Sequence, residues 1–310
     1  MKIFLAHWNS VMLGVHQRLL DEGHEVVTDG QFLENPKGID AGLFWNETTM
    51  GNNVKHWREF VEEWNKKKIP TYLYQHGRFG TSRIFPPFNE NLLCSKALLW
   101  GESDRKRYES VGTSPERIKV VGCPLFQTLI PRVKQDKPTI VFCPEHWGDE
   151  VEENLAVAQE LRKLGKVNII TKVLKGNHHL PWYDNPIETD RNTPEHLKVV
   201  AEVLSKADVI VSVFASTFEL LAQSLDIPVV VVDLWRPKAC SGDERYRNYE
   251  RPMAKGVDRV PLKDLNCAVK FALKHPQYNS PYRKKAVLAD GGDFADPIGN
   301  IVREVTRASQ

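Results

Sequence analysis

The chain has no apolar run long enough to span a bilayer. Its start, Met1-Lys-Ile-Phe-Leu-Ala-His-Trp8, goes straight into a strand pattern. It lacks the longer apolar region and small-residue cleavage site of a signal peptide. The expectation is a cytoplasmic protein. Cysteine is scarce. The five residues, Cys94, Cys123, Cys143, Cys240 and Cys267, are odd in number, widely spaced and mostly in apolar strands. Buried free thiols explain them better than a disulfide framework or a zinc site. Charge of one sign is not in excess. Forty-two Lys and Arg against forty Asp and Glu leave +2, which gives no broad support for a nucleic-acid binder, although a local basic patch stays open. The glycine-rich dinucleotide fingerprint is absent, as is the phosphate loop that ends in Gly-Lys-Ser/Thr. That argues against a dehydrogenase and a P-loop kinase. There is no Asp-x-Asp, and His178 and His179 are adjacent rather than helically spaced, so neither a metal nor a resident cofactor is expected. No internal repeat or low-complexity tract occurs.

What is present is regular alternation. Strands are expected at Lys2 to Trp8, His24 to Thr28, Ala41 to Trp45, Thr71 to Gln75, Leu93 to Trp100 and Arg117 to Val121. Helices are expected from Ser10 to Glu22, Asn52 to Lys67 and Glu102 to Val111. The stretch Pro131-Arg-Val-Lys-Gln-Asp-Lys-Pro138 breaks the pattern and reads as an interdomain linker. Alternation then restarts. Strands at Thr139 to Cys143 and Val167 to Lys172 enclose a helix from Glu150 to Leu164. A polar loop runs to Asn192, a helix follows from Thr193 to Ser205, residues 234–258 form a long polar loop, and helices occupy Leu262 to Lys274 and Pro297 to Ala308. Two α/β halves of similar size, 1–130 and 138–310, are expected as Rossmann-like domains facing a central cleft. In such sheets ligands sit beyond the carboxyl ends of strands.

The most informative stretch is Ala207 to Asp233. Val209 to Phe214 is apolar except for Ser212, as a strand covered on both faces should be. Ala215, Ser216 and Thr217 open a helix on which Phe218, Leu221, Ala222 and Leu225 recur, and Pro228 leads into the next strand. The helix start is an anion site in one reading, with Ser216 and Thr217 at phosphate and Glu219 near ribose hydroxyls. In the other, Ser216 is a cap and Glu219 a first-turn acid.

Three further strand ends carry chemistry. Gln75-His-Gly-Arg78 combines a base or phosphate donor at His76, close backbone approach at Gly77 and a cation at Arg78. Pro144-Glu-His-Trp-Gly148 follows the first strand of the second half. There Glu145 and His146 can contact donor or acceptor and Trp147 can stack on a base. Lys172 can neutralise a diphosphate, or stand solvated. Asp290-Gly-Gly292 makes a turn before the last helix, which Asp293 or Asp296 can cap.

The order of these motifs resembles the GT-B glycosyltransferase superfamily. Within it the chain is similar to CDP-glycerol glycerophosphotransferase-like and capsule-polysaccharide transferase families, and to UDP-GlcNAc 2-epimerases. The matching pieces are Gln75-His-Gly77, Val121-Gly-Cys-Pro-Leu125, Phe142-Cys-Pro-Glu145, Ala207 to Asp233 and Asp290-Gly-Gly292. The resemblance implies a nucleoside-diphosphate sugar held mainly by the second half, through Ser216 and Thr217 at phosphate and Glu219 at ribose. It implies His76 as base or acceptor residue, charge stabilisation without a metal, and a last helix crossing back to the first domain.

The chain departs from the glycerophosphotransferase pattern. Ala215-Ser216 stands for two serines, Glu219 for Asp, and Lys172-Val173-Leu174 for a basic-His-Pro sequence. A basic amphipathic region of the kind many wall-polymer enzymes use at membranes is not apparent. A metal-independent glycosyltransferase is therefore the leading expectation, with a glycan, a polyol phosphate or modified DNA as acceptor. The alternatives are a phage-type transferase on hydroxymethylated bases using the Arg- and Tyr-rich loop 236–251, a CDP-glycerol-type glycerophosphotransferase, a UDP-sugar epimerase, and a non-catalytic nucleotide-binding protein.

Overall fold

The structure is a computed structural model. It describes residues 1–6, 10–44, 55–75, 92–144, 151–174, 183–190, 193, 195–213, 217–234, 258–289 and 291–307. The chain divides into two compact units. One holds the described residues up to Pro124 together with those from Leu288 onward, and the other holds those between Leu125 and Val287. The proline-flanked stretch belongs to the second unit. Val133 N–H donates to the Ser205 carbonyl, and Arg132 pairs with Asp208 at 2.7 Å.

The first unit contains β1 (Lys2–Leu5), α1 (Ser10–Asp21), β2 (Glu25–Val27), α2 (Gln31–Glu34), β3 (Ala41–Phe44), α3 (Lys55–Lys66), β4 (Thr71–Tyr74), β5 (Lys96–Leu99), α4 (Glu102–Ser110) and β6 (Ile118–Val120). Its sheet has the order β2-β1-β3-β4-β5-β6, and every pair is parallel. The central strands are buried along their whole length, as their unbroken apolar runs require. Phe4, Phe44 and Trp64 meet beneath the sheet, with Phe44 edge-on to Trp64 at 5.3 Å.

The second unit contains β7 (Thr139–Cys143), α5 (Val151–Arg162), β8 (Asn168–Leu174), β9 (Pro186–Thr189), α6 (Glu195–Lys206), β10 (Val209–Ser212), α7 (Thr217–Ser224), β11 (Val229–Val232), β12 (Asp258–Val260), α8 (Leu265–Lys274) and α9 (Ser280–Ala289). Its sheet runs β12-β11-β10-β7-β8-β9, again wholly parallel. Counted from β7, that is the doubly wound order 3-2-1-4-5-6.

The last helix, α10 (Pro297–Thr306), lies in the first unit against α1. The side chain of Asp296, not Asp293, caps it by accepting from Gly299 N–H at 2.9 Å. The turn before it explains two of the sequence motifs. Gly291 sits at φ +84°, and a Cβ there would lie 2.0 Å from the Trp100 carbonyl oxygen and 3.0 Å from Gly122 Cα. Gly122, at φ +91°, has no room for a side chain against Phe294. The Gly-Gly turn and the Val121–Leu125 segment are thus glycine-bearing because two backbones meet there.

Candidate functional site

In a doubly wound sheet the crevice for a ligand opens where the chain reverses its direction of travel, beyond the carboxyl ends of the two central strands. In the second unit those strands are β7 and β10. Their last residues, Cys143 and Ser212, are direct register partners. On the other side of β7, Phe142 is partnered by Thr171, so the next residue of β8, Lys172, stands level with the same edge. The helix α7 begins five residues after Ser212 and brings Thr217, Phe218 and Glu219 to this edge.

Lys172 is buried, with 7 % of its surface exposed, rather than solvated. Its Nζ lies 5.4 Å from the centre of the Phe218 ring. It makes no hydrogen bond and no ion pair with the described residues. Burial pushes its pKa below the ordinary lysine range, and the neighbouring Cys143 works against that shift. A nearly enclosed cation without a counter-charge is costly in a resting protein, and an arriving anion relieves that cost.

Glu219 is fully buried, and one carboxylate oxygen accepts a hydrogen bond from the Ser212 hydroxyl. The carboxylate is enclosed against the end of β10. Thr217, the first residue of α7, is half-exposed beside it. The Cys143 thiol feels both charges. Burial is the main cause that lifts its pKa to about 12; Lys172 lowers it and Glu219 raises it.

At mildly alkaline pH, Cys143 is therefore expected to resist alkylation in the folded protein while Cys267 reacts. Mass-spectrometric mapping of labelled cysteines checks this, and rapid labelling of Cys143 would refute it. Cys267 is the exception among the described cysteines: Cys94, Cys123 and Cys143 are buried, whereas Cys267 lies on the outer face of α8.

The structure thus gathers Lys172, Thr217 and Glu219, and adds Ser212 and Cys143, which the sequence reading did not place in the site. The signal for Ser212 was its lone polar side chain in an apolar strand. Gln75, in the first unit, is fully buried. Its amide N–H donates to Asp104 at 2.8 Å and its carbonyl accepts from Trp100 N–H at 2.7 Å, so it ties the end of β4 to the end of β5 and to α4. It braces the sheet edge where a cleft-lining residue was expected. His76, Gly77, Arg78, Glu145, His146, Trp147 and Ser216 lie outside the described residues.

No protein-family model matches the chain, and no curated protein matches it. Solved structures do. A Staphylococcus aureus MnaA–UDP co-structure aligns over 99% of this chain and 95% of its own, with a TM-score of 0.64 and 12% identity. The wall teichoic acid polymerase TagF aligns over 99% and 88%, with a TM-score of 0.61 and 12% identity. UDP-GlcNAc 2-epimerase from Neisseria meningitidis, bound to UDP-GlcNAc, aligns over 99% and 98%, with a TM-score of 0.57 and 14% identity. At these identities the likeness establishes architecture. The chain has the GT-B fold, and the resemblance drawn from its motifs holds at that level.

Proposed function

We propose that the protein is a metal-independent glycosyltransferase. It takes a sugar from a nucleoside-diphosphate sugar and delivers it to a glycan, a polyol phosphate or modified DNA. The observation that carries this reading is Lys172, a buried ammonium with no ion-pair partner among the described residues, at the point of the doubly wound sheet where ligands enter. Its charge and the amino-terminal N–H groups of α7 together suit a diphosphate leaving group and supply the stabilisation a divalent ion would otherwise give. Thr217 stands at the mouth of that helix, with Ser216 before it in the sequence. The fold neighbours solved with UDP and with UDP-GlcNAc support the same ligand class. From the sequence pattern alone, His76 is assigned as base or acceptor-side residue, and Glu145 as a second candidate catalytic residue.

A panel of nucleoside diphosphates and their sugars, run by thermal shift with and without EDTA, tests the reading. A ligand that binds the native state raises Tm by mass action. A shift with one diphosphate, unchanged by EDTA, is the expected result. No shift with any nucleotide would remove the donor site, and a shift abolished by EDTA would remove the metal-independent part. An epimerase is the second reading, favoured by the full-length likeness to UDP-GlcNAc 2-epimerase. Conversion of a UDP-sugar to its 2-epimer without acceptor would establish it instead.

Glu219 enters as a positioning residue, through Ser212. Glu219→Ala is expected to weaken donor binding about tenfold by freeing the start of α7 and orphaning the Ser212 hydroxyl. Glu219→Gln keeps an acceptor for that hydroxyl and should recover most of the affinity. Equal loss in both variants, measured by calorimetric titration, would mean that the carboxylate charge itself meets the ligand.

A further inference from the structure

We infer that the outer faces of α8 and α9 form a docking surface for an anionic phospholipid bilayer. The chain as a whole is nearly neutral, but no Asp or Glu occurs between Leu265 and Val287, while Lys270, Lys274, Arg283, Lys284 and Lys285 do. Arg283 is buried and paired with Asp226. The four lysines are exposed and have no ion-pair partner among the described residues. Elsewhere the exposed helices neutralise their own cations, as in Arg18–Glu22, Arg58–Glu62 and Arg105–Glu109. The absence of acids on α8 and α9 is therefore a local departure.

The second observation is apolar. Among the described residues, three of the seven exposed large hydrophobic side chains fall between Phe271 and Tyr282, namely Phe271, Tyr278 and Tyr282. Tyr282 is 65 % exposed. Buried Leu265, Val269 and Ala272 anchor α8 to the core, which turns Cys267, Lys270, Phe271 and Lys274 outward as one stripe. An open groove of about 480 Å³ runs along Phe271, Lys274, His275, Pro276 and Tyr278.

The occupant follows from the rings. Phe271 packs against His275 at 4.7 Å and Tyr278 at 5.0 Å, so it belongs to a cluster of three rings rather than standing as a free stacking platform for a nucleobase. Tyrosines among lysines, over a shallow apolar groove, instead match the headgroup level of a membrane, where aromatic rings and basic side chains both concentrate. None of the described helices is long and apolar enough to cross a membrane, so the contact lies on the surface. The sequence pattern does not reveal this region, because the predicted helix ends at Lys274 and none is predicted over α9. The inference does not rest on the proposed reaction.

The test is co-sedimentation of the full chain with vesicles of phosphatidylcholine mixed with phosphatidylglycerol, against phosphatidylcholine alone. Binding only to the anionic vesicles, weakened by salt, is the expected result. Replacing the four lysines by Gln should cut partitioning several-hundredfold, at about fivefold per lysine. Tyr278→Ser with Tyr282→Ser should cut it several-fold at every salt concentration, and Lys66→Gln with Lys67→Gln on α3 should leave it unchanged. All of these positions are exposed, so circular dichroism should report an unchanged fold. No retention by anionic vesicles at low salt overturns the inference. Retention that ignores the lysine and tyrosine variants overturns it as well. Retention by single-stranded DNA but not by vesicles would replace the bilayer with nucleic acid.

Discussion

Lys172→Met is expected to abolish nucleoside-diphosphate binding and, at the same time, to raise the melting temperature. The two effects come from one fact. The ammonium is 7 % exposed, and its only partner among the described residues is the Phe218 ring. Without a ligand the protein carries the cost of an enclosed cation. A methionine of similar length keeps the apolar stem and the contact with Phe218 while removing that cost, a substitution that is commonly neutral or stabilising at buried charges. With a diphosphate present the balance reverses, because a charge-assisted hydrogen bond in a water-poor site is lost; a loss of about a hundredfold in Kd is expected.

The pH dependence carries a sign. The folded-state pKa of Lys172 lies below its unfolded value, so in the window between them the unfolded chain binds more protons and stability rises with pH. The gain in Tm from Lys172→Met should therefore be largest at low pH and should shrink as pH approaches the ordinary lysine value. Binding runs the other way: the anion needs the protonated amine, so affinity falls with rising pH in the wild type. Calorimetric titration and thermal melts across pH measure both. A variant that loses stability and keeps its affinity would show Lys172 to be a packing residue.

How much of this was visible in the sequence depended on element length and register. β7 was legible from Thr139 to Cys143, end for end, because a strand buried on both faces is an unbroken apolar run. β9 and β12 were not. Pro186-Ile-Glu-Thr189 is an edge strand of four residues with a proline first, and such edges carry little pattern. α9 was hidden by Pro281 and by a Lys-Lys pair that belongs to its solvent face. Lys172 and Glu219 were legible as chemistry, since one lies near the carboxyl end of β8 and the other in the first turn of the helix after β10. Cys143 opposite Ser212 was not, because register pairs residues far apart in sequence and no local periodicity encodes it. Gln75 shows the same limit: a polar residue at a strand end reads the same in sequence whether it faces a ligand or braces a neighbouring strand.

Arg283 gives the largest expected effect on stability. It is the one fully buried cation among the described residues. Its Nε donates to Asp226 at 2.9 Å, Nη1 to the Tyr278 carbonyl at 2.6 Å, and Nη2 to the carbonyls of Pro276 at 2.7 Å and Asp226 at 3.2 Å. Asp226 also accepts from Ser280 at 2.7 Å and sits at φ +56°, just past the end of α7. One guanidinium therefore fastens α9 and the turn before it to the loop that closes α7. Arg283→Met takes the guanidinium donors from one carboxylate oxygen of Asp226 and from three carbonyl oxygens, and is expected to cost about 3 kcal/mol. Asp226 is partly exposed, so water can reach it, which keeps the cost at the lower end for a broken buried pair. Arg283→Lys should recover little, because a single ammonium cannot span acceptors that the planar fork reaches from three nitrogens. Asp226→Asn keeps the shape and should lose less than either. Urea denaturation, read together with hydrogen exchange along α8 and α9, measures the order. If Arg283→Lys proved as stable as the wild type, charge alone would hold this junction. If Arg283→Met were neutral, the junction would be held by the apolar packing of α8 beneath it.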